Sequence, residues 1–310
     1  MLLHLVEDAP VKVTLEIMDT FMKKVPPELL VPMVSGVALD HCLSSAGGTF
    51  RVTNYIFVGD PGVGKSTIVM EYAAAQHKLG LKVARIEAEM TRIDMVGYVA
   101  RFPDFGKIPT IFLADYPDVD PRKVIEEVLK EGWDIVVIDS ASELTDDLQE
   151  AVNLTQRQAE SFVIDTMVRH NQGHNDAGIY TTFLVVQQVG KGGRFVGSNK
   201  WKHNTTGMIE FRNGKRGETY TYVEKNRRGF HFRRLVFEIQ GSAVVYRVDL
   251  AEAEEQAKEA ERQQKERLDA NNADFVGRFL EGTKGLKGKG AKSDDDNEDR
   301  DNDDNEDRDE

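Results

Sequence analysis

The sequence predicts an α/β fold: a mostly parallel central sheet flanked by helices and finished by antiparallel strands. Three observations carry this. Between residues 34 and 186, short apolar runs alternate with amphipathic segments at the spacing of strands and crossover helices. The tightest of these runs, 55–58 and 134–138, are continuous rather than alternating, as strands buried on both faces require. After residue 207 the alternation stops, and Asn213-Gly214 and Gln240-Gly241 separate paired strand-like segments.

Taken in order, residues 1–33 form an N-terminal segment broken by Pro10, Pro26, Pro27 and Pro32, with room for a short helix at 15–24. The strand 55–58 runs into a glycine loop, and the helix 66–79 that follows stops at Gly80. A second strand covers 82–87. Thr91, with Asp94 three residues on, starts a helix to about 102. Residues 110–113 read as a strand, and Asp120-Pro121 opens a helix to 131 with proline at its favoured first position. Strand 134–138 is followed by one long amphipathic helix at 148–169 and by strand 180–186. Hairpins of 208–212 with 218–224, and of 234–239 with 243–248, complete a core of 34–249. Residues 250–281 make a helical extension. A Gly/Lys linker and an acidic tail occupy 282–310, where an eight-residue repeat offers nothing apolar to bury and is expected to be disordered.

The net charge of −13 over 310 residues is unevenly spread. The last 17 residues carry −10, whereas residues 191–234 carry +9. Such asymmetry bears on partners rather than on fold. A single cysteine, Cys42, excludes an internal disulfide framework and a Cys-rich zinc site. The N-terminus lacks the basic and apolar regions of a secretory leader, and no stretch reaches the length of a membrane span. A soluble, cytoplasmic protein is expected.

The segment Gly59-Asp60-Pro61-Gly62-Val63-Gly64-Lys65-Ser66-Thr67 is a phosphate-binding loop lying between a strand and a helix. Its glycines let the backbone wrap a polyphosphate, Lys65 reaches the β/γ-phosphates, and Ser66 offers a hydroxyl to Mg²⁺. ATP and Mg²⁺ are the expected cofactors. Asp139, at the C-terminal end of strand 134–138, stands where the ligand crevice of such a sheet opens and suits a second, water-mediated metal contact. Hydrolysis also needs a base for water. Glu89 is preferred to Glu87, on the condition that strand 82–87 neighbours the phosphate-loop strand. Gln188 is a candidate sensor of the γ-phosphate.

These motifs, in this order, resemble the RadA/Sms family of bacterial DNA-repair ATPases, which have a RecA-like core. The resemblance covers about 34–240. It rests on Ser35-Gly36 with Leu39-Asp40, on the phosphate loop, on Val137-Ile138-Asp139-Ser140, on Val189-Gly190-Lys191-Gly192-Gly193 and above all on Lys225-Asn226-Arg227-Arg228-Gly229. It implies a homo-oligomeric, hexameric ring with ATP between subunits and single-stranded DNA near the channel. It further implies that Lys225 and Arg227 reach a neighbour's nucleotide; from the residues alone, they could equally be a solvated strand edge. The family's four-cysteine zinc finger and Lon-like domain have no counterpart here.

In RecA-like rings, DNA-binding loops project after the sensor strand. Here Lys191, Arg194, Lys200 and Lys202, with Phe195 and Trp201 interleaved, are expected on such a loop, cations on phosphates and rings on bases. A charged loop packing on the next subunit is the plainer reading. The acidic tail is expected to compete with DNA, to dock a protein partner, or simply to solubilise. Two other readings stay open: a DnaB-like replicative helicase, and a KaiC-like ATPase whose nucleotide state switches protein contacts.

Overall fold

The computed structural model describes residues 23–189, 197–214, 218–229 and 234–247, with Leu15, Ile17, Met18, Thr20, Arg262, Lys265 and Glu266. The chain divides into two units, Met1–Glu255 and Gln256–Glu310. The expected helix at 15–24 falls partly outside the described residues, and the linker and acidic tail wholly so. Of the 250–281 extension, the described residues Arg262, Lys265 and Glu266 are helical, and Arg262 pairs with Glu266 at 3.4 Å.

After a one-turn helix α1 (Asp40–Leu43), strand β1 (Asn54–Gly59) feeds helix α2 (Lys65–Lys78). Strand β2 (Val83–Glu87) leads to α3 (Arg92–Arg101), whose start is the expected capping box of Thr91 and Asp94. Strand β3 (Thr110–Phe112) and helix α4 (Pro121–Lys130), with Pro121 at its first turn and Asp120 capping it, come next. Strand β4 is Ile135–Asp139.

The single long helix expected at 148–169 is instead two, α5 (Ala141–Val152) and α6 (Gln156–Asn171). Asn153 adopts the left-handed conformation (φ 52°) and ends α5, while Thr155 and Gln158 form a second capping box that starts α6. The apolar pattern runs across this break because both helices pack on one sheet face.

Strand β5 (Thr182–Gln188), the short helix α7 (Asn199–Asn204), and strands β6 (Gly207–Asn213), β7 (Thr219–Asn226), β8 (Arg234–Gln240) and β9 (Ala243–Tyr246) complete the described core. Among the described residues the nine strands form one sheet in the order β3-β2-β4-β5-β1-β6-β7-β8-β9. From β3 to β6 all pairings are parallel; β6 to β9 are antiparallel.

The two-residue period of the strands sorts side chains between two cores. Tyr55, Phe57, Val83, Ile135, Val137, Leu184 and Val186 face α2 and the Phe102–Phe105 region. Ile56, Val58, Ile86, Val136, Ile138, Phe183 and Val185 face α4, α5 and α6. This alternation also decides which polar residues meet at the strand ends. Among the described residues no helix is long and apolar enough to cross a membrane.

Candidate nucleotide site and its basic flank

The loop from Gly59 to Thr67 joins β1 to α2 at the C-terminal edge of the parallel strands, with β5 on one side of β1 and β6 on the other. Gly64 has φ 96°, a left-handed conformation that only glycine adopts without strain. At Gly59 the need is close approach, because a Cβ would come within 2.8 Å of the Phe211 carbonyl oxygen on β6. Asp60, Pro61 and Gly62 are exposed, and Val63 and Thr67 are buried, so the loop presents its rim while its base is fixed. The Thr67 hydroxyl lies 2.9 Å from Tyr98 Oη on α3.

Lys65 is buried, and its ammonium donates to the carbonyls of Gly59 (2.8 Å) and Asp60 (2.9 Å). Burial pushes its pKa down, against the opposing pull of Glu89, Asp139 and Asp60. The Ser66 hydroxyl donates to Asp139 Oδ1 at 3.2 Å. A hydroxyl and a carboxylate are the hard oxygen donors that suit Mg²⁺, which takes one or two protein ligands and completes its shell with water and phosphate. Those residues therefore fit a Mg²⁺-nucleotide.

The condition set for Glu89 does not hold. β2 neighbours β3 and β4, and two strands, β4 and β5, separate it from β1. Glu89 is nonetheless close enough for its charge to act on Lys65. The Ala88 amide donates to the Asp139 carbonyl at 2.7 Å, which extends the β2–β4 ladder by one bond and keeps the start of the Glu89 segment against the end of β4. Glu87, by contrast, is buried beneath the site, where its Oε1 accepts from the amides of Glu89 (2.9 Å) and Met90 (2.7 Å). Burial raises its pKa to about 7, with Arg85 pulling it down and Asp139 pushing it up.

Sequence reading missed Arg85. It is buried, donates to Asp139 Oδ2 at 2.7 Å and pairs with Glu87. The available signal was its place in a strand two residues before Glu87, on the same face, where a cation needs a buried partner. Gln188 is half-buried and in register with Gly59, beside the phosphate loop.

On the other flank the predictions fare differently. Lys191 and Arg194, with Phe195, lie outside the described residues. Lys200 and Lys202 are on helix α7, not on a loop. Lys200 contacts Ser161 (3.0 Å) and Asp165 (3.3 Å) of α6, and Lys202 pairs with Glu224 of β7 at 3.5 Å. Trp201 is no stacking platform. It is 2% exposed and belongs to the core shared with α5 and α6.

Lys225 sits on β7 and Arg227 just beyond it. Lys225 donates to the carbonyls of Lys202 and Thr205, the latter at 2.7 Å, and Arg227 to that of His203 at 2.7 Å. Both cations thus cap the C-terminal carbonyls of α7 within their own chain. Asn226, between them, is buried and donates to the carbonyls of Cys42 and Leu43, both at 3.1 Å. A cavity of about 640 Å³ opens beside the phosphate loop, lined among others by Asp60, Val189, Lys202, Glu210, Arg212 and Tyr220.

No protein-family model matches the chain. Among curated proteins it is similar to the DNA repair protein RadA of Brucella abortus (strain 2308), with 26% identity over 206 residues, 64% of this chain and 41% of that protein. A stretch of 123 residues, 36% of this chain, is 27% identical to a signal recognition particle subunit of Arabidopsis thaliana and spans 25% of it. The chain thus spans less than half the length of either relative. Among solved structures it is similar to a KaiC-like protein from Pyrococcus horikoshii OT3, with a TM-score of 0.51 and 20% identity, over 70% of this chain and 98% of that one. With the parallel order from β3 to β6 and the antiparallel strands that close the sheet, this match makes the fold RecA-like.

Proposed function

We propose that this chain is a RecA-like ATPase that hydrolyses Mg²⁺-ATP and acts on single-stranded DNA as a homo-oligomeric ring, in a recombination or repair role. The observation that carries the catalytic half is the convergence of Lys65, Ser66 and Asp139 at one strand edge, with Glu89 close enough to bias Lys65. The similarity to a DNA repair protein, together with the basic strip, supports the DNA half.

Lys65 exchanges its loop carbonyls for phosphate oxygens, and the loop amides bind and orient the polyphosphate. Ser66 and Asp139 hold the metal, which supplies neutralisation of charge on the phosphates. Glu89 takes the proton from the attacking water, while Gln188 reports the state of the γ-phosphate to the chain beyond β5. Lys225 and Arg227 contact a neighbouring subunit's nucleotide, which requires them to leave the α7 carbonyls.

The test is ATP turnover by the full chain with and without single-stranded DNA, at low and moderate salt, with Lys65→Ala as control. The expected result is turnover stimulated by DNA, with stimulation fading as salt rises, and a loss of about 10²–10³-fold in the Lys65 variant. A second reading has its own observation: Lys200, Lys202, Lys225 and Arg227 all have partners within the chain. Turnover indifferent to DNA at both salt concentrations would favour an ATPase that switches protein contacts.

A further inference from the structure

The acidic side of the site contains more than a metal ligand and a base. Strand periodicity puts Arg85 and Glu87 of β2 on one face, and Glu87 is the register partner of Asp139 on β4. Side-chain exposure is 1% for Arg85 and Asp139 and 0% for Glu87. One guanidinium nitrogen of Arg85, Nη2, contacts both carboxylates.

Each carboxylate has a second task. Asp139 keeps Oδ1 on Ser66 while Oδ2 is held by Arg85. Glu87 spends Oε1 on the amides of Glu89 and Met90 while Oε2 faces Arg85. Burying a guanidinium is costly, and Arg85 Nε has no hydrogen-bond partner among the described residues. Packing does not explain an arginine here; its reach to two carboxylates does.

We propose that Arg85 is a positioning residue that locks the metal-facing carboxylate of Asp139 and the loop carrying Glu89 into one unit. Its grip on Oδ2 leaves Oδ1 as the oxygen turned toward Ser66 and the metal. Its grip on Glu87 fixes the carboxylate from which the Glu89 amide hangs. Metal binding and water activation then share one buried cation, as groups behind a metal site orient its ligands. The proposal rests on the ATPase reading above.

The experiment uses the full chain with Arg85→Met, Arg85→Lys and Glu87→Gln. Three experiments are run: binding of a fluorescent ATP analogue with Mg²⁺ and with EDTA, steady-state turnover for kcat and KM, and amide exchange at Glu89 and Met90. Arg85→Met is expected to lose the Mg²⁺-dependent tightening by about 10–100-fold, to raise KM for Mg²⁺-ATP in step with it, to lower kcat, and to speed exchange of both amides. Arg85→Lys, which keeps the charge, restores part of each. A folded Arg85→Met variant with parental Mg²⁺ tightening and parental amide exchange overturns the proposal.

Where Arg85→Met fails to fold, Glu87→Gln decides. Faster exchange at Glu89 and Met90 with lower kcat, and Mg²⁺ tightening largely kept, supports the shared unit; parental exchange and kcat overturn it. If the unaltered chain neither binds nor turns over ATP, the ATPase reading falls, and amide exchange alone then judges whether Arg85 holds the Glu89 loop.

Discussion

The two flanks of β1 handle charge in opposite ways. Toward β4 and β2, Arg85, Glu87 and Asp139 are almost fully buried and pair with one another. Toward β6 and β7, Lys200, Lys202 and Lys225 are half-buried, Arg227 is exposed, and several of their contacts are carbonyls at the end of a six-residue helix. A buried ion triad has no water to replace a lost partner, so its geometry is fixed. A half-exposed cation on a carbonyl can exchange that carbonyl for water or phosphate at small cost. One flank is therefore held in position by its buried pairs, and the other can exchange its contacts more cheaply, which is the contrast the proposed function draws on.

The largest test of that contrast is Trp201, which lies on the basic flank but is buried as deeply as the acidic groups. Trp201→Ala is expected to destabilise the fold by about 3–5 kcal/mol, read by urea denaturation. Affinity for single-stranded DNA, corrected for the folded fraction, should stay within about twofold. A ring that stacked on a base would cost about 1–3 kcal/mol of binding instead. A stable Trp201→Ala protein with weakened DNA binding would break the division between a fixed core and a mobile surface.

Trp201 also marks where sequence reading ends. The phosphate loop was legible because its chemistry is local: glycine spacing, a lysine, and a strand and helix on either side. Asp139 was legible because an apolar run that ends in a carboxylate points to one edge of the sheet. The Glu89 charge acts on Lys65 although β2 and β1 are not neighbours, a relation that depends on strand order and so could not be read from the sequence. A tryptophan between two lysines looks exposed, and only the packing of α7 on α6 buries it. The break at Asn153 was written in the sequence as Thr155-x-x-Gln158, but the apolar pattern continuing on one face hid it. Arg85 was hidden by the same periodicity that explains it, since pairing across β2 and β4 depends on register.

The second test concerns the tether. Lys225→Met removes its bonds to the Lys202 carbonyl in α7 and to the carbonyl of Thr205 just beyond it, the latter at 2.7 Å. The expected cost is about 1–2 kcal/mol of stability, with faster amide exchange confined to α7. Turnover of the same variant then separates tether from nucleotide contact. A loss within about threefold leaves only the tether, whereas a trans cation acting on the phosphates is worth on the order of 10³-fold. Unchanged exchange in α7 would show that this flank is held by something other than its cations.

The smallest effect tests whether pairing is what makes buried charge tolerable. His170, at the end of α6, is 5% exposed, and its Nδ1 has no hydrogen-bond partner among the described residues. Burial lowers its pKa from the free value of 6.5, helped by the Arg169 and His174 charges and opposed by Glu126. Because the folded-state value is depressed, the unfolded chain takes up the proton first as pH falls below 6.5. The stability contributed by a neutral His170 is thus complete above that pH and is lost as pH drops toward the folded-state value, with a slope of at most about 1.4 kcal/mol per pH unit. His170→Gln removes this slope, so parent and variant should diverge between neutral and mildly acidic urea titrations. Parallel curves would mean that the buried ring accepts its proton in the folded chain although its Nδ1 has no hydrogen-bond partner among the described residues, and pairing would no longer account for the contrast between the two flanks.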